Sequence, residues 1–194
     1  MTLRMLSVSL LTLLTVGSAS AEGSNDAGLK PGAPLFVERA IADARLAGQG
    51  SFRWFGLLIY DAQLWVGPKG YQAAAPDIAP FALDLHYARS FDSDSIAETS
   101  IEEMKKTGEA SDERYGHWLQ QMKGLFKNVV KGTHVTGIFM PGYGARFFLD
   151  GRALGDITDP QFAHAFFAIW LSPKTSAAGL RKKLLANIKP IEPQ

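Results

Sequence analysis

The sequence predicts an α+β domain, an antiparallel β-sheet covered on one face by a layer of helices. Stretches of period two, such as "FALDLHYARSF" at 81–91, mark half-buried strands. Stretches of helical period mark amphipathic helices; Tyr115, Trp118, Leu119, Met122, Leu125, Phe126 and Val129 fall on one side of such a segment. The two kinds occur in runs (strands, two helices, strands, two helices) rather than in alternation, which disfavours a parallel sheet.

The chain opens with "MTLRMLSVSLLTLLTVGSASA", one early cation at Arg4, an apolar run from Leu6 to Val16, and the small-x-small end Ala19-Ser20-Ala21. This is the layout of a secretory signal peptide over residues 1–21, with cleavage expected after Ala21. The run is short of the roughly 20 residues that a spanning helix needs, and no later segment is long enough, so no membrane span is expected after cleavage. Residues 22–34, "EGSNDAGLKPGAP", read as a flexible tether, and residues 35–194 as a single domain. A domain of this size buries roughly 70% of the surface its unfolded chain exposes.

Within the domain, "LFVERAIADA" (35–44) is a short helix. Residues 50–66 are one long strand or a tight pair, with Gly56 at a bulge or kink. In 81–91, Phe81, Leu83, Leu85 and Tyr87 face one way, and Ala82, Asp84, His86 and Ala88 the other. Ser95 to Glu98 has capping-box spacing and Gly108 stops that helix. "HVTGIFM" and "ARFFLDG" form a hairpin around "PGYG". Asp159-Pro160 starts a helix, "QFAHAFFAIWL", apolar on nearly every side and so expected to be buried. "SAAGLRKKLLANI" closes the domain as an amphipathic helix.

Composition excludes several function classes. The formal charge is +1, or neutral once Arg4 is removed, with no basic stripe, so nucleic acid is not an expected partner. Cysteine is absent, which removes thiolate chemistry and cysteine-ligated zinc. The signal sequence places the protein in the periplasm or outside the cell. No Gly-rich phosphate loop, Gly-x-Ser-x-Gly elbow or His-Glu-x-x-His motif is present. His86, His117, His134 and His164 lie on four different elements without a partner at i+3 or i+4, so no metal and no organic cofactor is expected. His164, on the apolar helix, is either a satisfied core imidazole or a ligand contact. Glu98, Glu102 and Glu103, with Lys105 and Lys106 behind them, fit a solvated helix face ordered along its dipole.

Four strings, "GSFRWFGLLIYDAQLWV", "LHYARSFDSDSIAETSIEEMKK", "GARFFLDGRALGDI" and "DPQFAHAFFAIWLSPKTSAAGLRKKLL", resemble the chalcone isomerase-like domain in the form found in exported bacterial proteins. The resemblance runs from about residue 45 to 187. It implies an antiparallel sheet with helices packed on it and a ligand cleft between them. The family holds enzymes that cyclise chalcones and non-catalytic members that bind fatty acids. Both use an arginine in a segment like "GSFRWFG", which Arg53 matches. Guanidinium suits either role, because it is always charged and forks onto planar oxyanions. The enzymes' tyrosine and asparagine on the helix after the third strand segment fall near Ile96 and Glu103 here. Their hydroxyl residue in the penultimate helix has no counterpart in "PQFAHAF". The resemblance therefore implies a binder's site without the catalyst's proton organisers.

By residue chemistry, Arg53 in "SFRWFGLLIY" either pairs with Asp61 or Asp84, reaches solvent at the sheet edge, or lines a cleft. By strand parity it shares a face with Phe55, Leu57 and Ile59 unless Gly56 resets the register. Arg89 continues the parity of Tyr87 and is either a boundary residue or a second cleft cation. Tyr60 and Tyr87 either pack in the core or offer hydroxyls to an oxyanion. Arg146, beside a glycine turn, is expected to be exposed. The expected partner is a small amphipathic molecule, a fatty acid or other apolar carboxylate, contacted by Arg53, Tyr60, Tyr87, Arg89 and His164. The competing reading is an isomerase or lyase acting on a chalcone-like enone or phenolic substrate.

Overall fold

The computed structural model describes residues 32–108 and 110–188. The signal peptide and the tether up to residue 31 lie outside them; of the tether's last positions, Ala33 is buried.

Six strands form one antiparallel meander in the order β1-β2-β3-β4-β5-β6: β1 Arg45–Trp54, β2 Leu57–Val66, β3 Phe81–Tyr87, β4 His134–Met140, β5 Gly144–Leu149 and β6 Arg152–Ile157. The tight-pair reading of residues 50–66 holds, and the first strand begins five residues earlier than expected. Gly56 is neither bulge nor kink. With Phe55 it forms a two-residue turn between Trp54 and Leu57, with φ of 46° at Phe55 and 79° at Gly56. Positive φ at both central residues defines the type I′ hairpin turn, whose twist suits paired strands. A register shift follows at once: Phe52 faces Tyr60 and Arg53 faces Leu58, so Ile59 is the extra residue of a bulge.

One face of the sheet is dry. Ala62, Leu64, Leu83, Leu85, Phe81, Phe139, Ala145 and Phe147 meet the helices there. These are α2 Ser93–Thr107, α3 Asp112–Leu125, α4 Pro160–Leu171 and α5 Ala178–Leu184. The apolar α4 is buried at Phe162, Ala163, Ala165, Phe166, Phe167, Ile169, Trp170 and Leu171, as its sequence requires. Asp159 caps it, accepting from the backbone N–H of Gln161 at 2.8 Å and of Phe162 at 3.1 Å, and takes the Trp118 indole N–H at 2.8 Å. Helix α5 lies hard against β1, where a Cβ on Gly48 would come 2.1 Å from the Lys183 carbonyl oxygen.

The opposite face is covered over part of its area by α1 Leu35–Ala40. Val37 and Ile41 seal Trp65, Ala82, Ile138 and Phe148 beneath them. The rest of that face is polar. Among the described residues no helix is long and apolar enough to cross a membrane.

Several boundaries moved. Helix α2 starts at Ser93 because the Asp92 carboxylate accepts from the Ser95 N–H at 2.8 Å; the carboxylate displaces the expected Ser95 cap. Gly108, at φ 76°, ends it as expected. Val129 leaves α3 and instead exchanges backbone hydrogen bonds with Phe91. The acidic run is a solvated face: Lys106 pairs with Glu103 at 2.5 Å and Lys123 with Glu98 at 2.6 Å. Arg146 keeps 40% of its side chain exposed, but it has a partner that was not expected. It forks onto Asp156 with two contacts of 2.8 Å, because β6, absent from the sequence reading, brings that carboxylate opposite it.

Candidate ligand site at the hairpin end of the sheet

An aromatic row crosses the end of the sheet where the β1–β2 turn projects. Phe52, Tyr60 and Tyr87 occupy register-paired positions on adjacent strands, so their rings meet on the helix side. Phe52 stacks on Tyr60 at 5.2 Å, Tyr60 meets Tyr87 at 5.8 Å, and Tyr87 meets Phe91 at 5.9 Å. Trp170 of α4 donates its indole N–H to the Tyr60 hydroxyl at 3.0 Å. Tyr87 is buried, and Phe52, Tyr60 and Phe91 are half-buried.

Burial pushes both phenols up. For Tyr60, burial outweighs the opposing Trp170 hydrogen bond, and the neighbouring Tyr87 and Glu103 add smaller upward pushes. Both hydroxyls are therefore protonated at neutral pH and act as donors, not as bases. The Tyr60 oxygen is already an acceptor, so its proton is available to another group. Among the described residues the Tyr87 hydroxyl has no hydrogen-bond partner.

Two cations flank the same stretch of β2. Arg53 faces Leu58 across the strand pair and donates from Nη1 to the Gly56 carbonyl at 3.1 Å. Arg89 donates from Nε to the Leu58 carbonyl at 3.2 Å. Both are exposed, and among the described residues neither has a carboxylate at ion-pair distance. The expected partners are engaged elsewhere. Asp61 accepts from the Ser51 hydroxyl at 2.5 Å. Asp84 accepts from Thr136 at 2.6 Å and contacts His134 Nδ1 at 2.7 Å. The parity expected to join Arg53 to Phe55, Leu57 and Ile59 is cancelled by the turn and the bulge. Because Phe52 points at the helices, strand alternation sends Arg53 out on the other side, at the root of the hairpin.

His164 does not join this group. Its ring lies against Phe139 at 5.3 Å and its Nε2 pairs with Asp77. Phe139 pairs with Phe81, at the opposite end of β3 from Tyr87 and about 20 Å away at 3.3 Å per residue. There His164 lines a pocket of about 160 Å³ with Tyr71, Pro76, Phe81 and Phe167.

A second hollow, of about 510 Å³, lies along the polar face and was not anticipated. Asp84, His86 and His134 line it with Gln49, Asp61 and Gln63. The His86 and His134 rings stack at 4.4 Å, 10° from parallel. Alternation in 81–91 already sends Asp84 and His86 to one face, but only the β3–β4 register brings His134 beside them. Among the described residues no group of three or more His, Cys, Asp or Glu could hold a metal ion.

The residues that the resemblance sets near catalytic positions, Ile96 and Glu103, are not free polar groups here. Ile96 is apolar, and Glu103 is bound by Lys106 and by the Ser176 hydroxyl, each at 2.5 Å. The first turn of α4 carries no hydroxyl side chain.

This is a six-stranded antiparallel sheet with a packed helical layer, closed by an aromatic row and two carboxylate-free arginines. The chain belongs to the chalcone isomerase-like family, whose model matches residues 40–186. Among solved structures, it is similar to a fatty-acid binding protein of Arabidopsis thaliana, with a TM-score of 0.60 and 11% identity over 76% of this chain and 90% of that one. At that identity the likeness is one of fold. No curated protein matches the chain.

Proposed function

We propose that this protein is a non-catalytic member of its family that binds an amphipathic anion, a fatty acid or similar apolar carboxylate, at the hairpin end of the sheet. The observation that carries the reading is the pair of guanidinium groups around Leu58 with no carboxylate among the described residues opposite them, at the same end of the sheet as two protonated phenols. An oxyanion at this end of the sheet would take a charge-assisted hydrogen bond from Arg89 and a hydrogen bond from the Tyr60 or Tyr87 hydroxyl, while Arg53, on the opposite face, would add its charge around the edge of the hairpin. Its tail would have to part the half-buried Phe52 and Phe91, which pack against the core here, since the two hollows described above lie along the polar face and beside His164. The fatty-acid binding neighbour is consistent with this. Phenols held protonated, and the apolar or engaged residues at the catalytic positions, weigh against chalcone cyclisation. We further propose that the chain is an exported protein of the periplasm, processed after Ala21.

Native mass spectrometry of the gently purified chain, followed by titration with dodecanoate, tests the ligand. Retention of a monocarboxylic lipid is expected, with loss of binding in Arg53→Gln/Arg89→Gln at unchanged thermal stability. Failure to bind dodecanoate, or turnover of a chalcone above its spontaneous rate, would overturn the assignment.

A further inference from the structure

The β1–β2 hairpin reaches beyond its neighbours. Tyr60 and Tyr87 are the last register pair of β2 and β3, and residues 53–58 continue past them. At about 3.3 Å per residue the projection is roughly 10 Å. Its tip is built against the preferences of the fold. A type I′ turn favours Asn or Asp before glycine; here Phe55 holds that position at φ 46° with 88% of its surface exposed. Trp54 is 60% exposed and Leu57 50% exposed. Only Trp54 meets the Phe55 ring, edge-on at 5.0 Å. Nothing in the fold explains a strained, solvated phenylalanine between two further apolar side chains.

The same end of the sheet continues the pattern. The Ala88 N–H bonds the Ile59 carbonyl and the Gly132 N–H bonds the Tyr87 carbonyl, which sets Arg89 and then the 130–133 turn beside the hairpin. That turn presents Val130, 61% exposed, followed by exposed Lys131. Arg53, Arg89 and Lys131 have no carboxylate partner among the described residues. The nearby acids are engaged: Asp92 caps α2, Asp150 takes the His134 N–H, and Asp61 takes Ser51.

We propose that this tip docks on an anionic lipid surface. Trp54, Phe55 and Leu57 enter the interfacial layer, with Arg53, Arg89 and Lys131 against the headgroups. A two-residue turn is far too small for the roughly 800 Å² per partner of a stable protein interface. It does suit a bilayer boundary, where shallow insertion of a few apolar side chains beside cations is enough and tryptophan is favoured. The docking shares Arg53 and Arg89 with the proposed ligand site, but its apolar part, Trp54, Phe55 and Leu57, stands on the tip's own geometry.

Co-sedimentation of the full chain with phosphatidylcholine vesicles, with and without phosphatidylglycerol, tests it. The chain is expected to pellet with the anionic vesicles and to be released by salt. Phe55→Asn, which suits the turn and preserves the fold, should weaken partitioning by about tenfold or more. Arg53→Gln should weaken it less and flatten its salt dependence. A chain that stays in the supernatant overturns the proposal. So does a Phe55→Asn variant that pellets like the parent, or a tip buried in a stable dimer by light scattering. Dodecanoate binding without vesicle binding would overturn the docking alone.

Discussion

Two hairpins project from the same end of the sheet, one at each edge, and both turn through positive φ. In the β5–β6 turn, Asp150 has φ 47° and Gly151 φ 76°; in the β1–β2 turn, Phe55 has φ 46° and Gly56 φ 79°. The backbone problem is the same, and the side chains answer it differently. Asp150 suits the left-handed region and also takes the His134 N–H at 2.8 Å, which ties its turn to β4. Phe55 does neither. Behind the first turn, Arg146 is forked onto Asp156; behind the second, Arg53 finds, among the described residues, only a backbone carbonyl. Stability alone explains one edge of the sheet, and the other edge gives some of it up.

The contrast can be broken at four places. The largest effect is expected under β5. Phe147 is fully buried against Phe126, Phe162 and Phe166, so Phe147→Ala should cost about 3–5 kcal/mol in denaturant unfolding. Phe52→Ala, at the half-buried hairpin end of β1, should cost clearly less. Next, Asp150→Phe copies the strained turn onto the well-built edge. It loses the His134 contact and should cost about 1–3 kcal/mol. The reverse change, Phe55→Asn, should raise stability by about 0.5–1 kcal/mol, a gain opposite in sign to its effect on vesicle binding.

The smallest effect is local and appears in acid. The Arg146 hydrogen bonds hold Asp156 below the ordinary carboxylate range, against its desolvation and with help from Tyr143. A depressed carboxylate contributes stability above its unfolded pKa and loses that contribution as pH falls through the folded value. Hydrogen exchange, corrected for intrinsic rates, should therefore show β5–β6 loosening below the carboxylate range. The β1–β2 turn, with no acid on Arg53, should keep its neutral-pH protection.

Most of the architecture was legible because its signals are periodic. Alternation in 81–91, the apolar α4 and the Asp159-Pro160 start all reappear in the structure. Strand β6 was not legible. "RALGDI" is short, and Gly155 interrupts its pattern. Missing it hid the partner of Arg146, so that residue was expected in solvent. The candidate site was legible in part. Tyr60 and Tyr87 meet because they end the pairing of β2 and β3, and Arg89, two residues on, reaches the Leu58 carbonyl. His164 was grouped with them by its apolar helix, but the register places it at the other end of the sheet. The free state of Arg53 could not be read from sequence, since it depends on Asp61 and Asp84 being claimed across strands by Ser51, Thr136 and His134.

The meander has a consequence for how the molecule assembles. Four of the five connections between its strands span residues 55–56, 67–80, 141–143 and 150–151, and only the β3–β4 pairing must wait for residues 88–133 to loop out and return. Local pairings form early and long closures late, so that single junction is the expected rate-limiting step of folding. Chains cut within the helical excursion should then yield two half-sheets able to recombine.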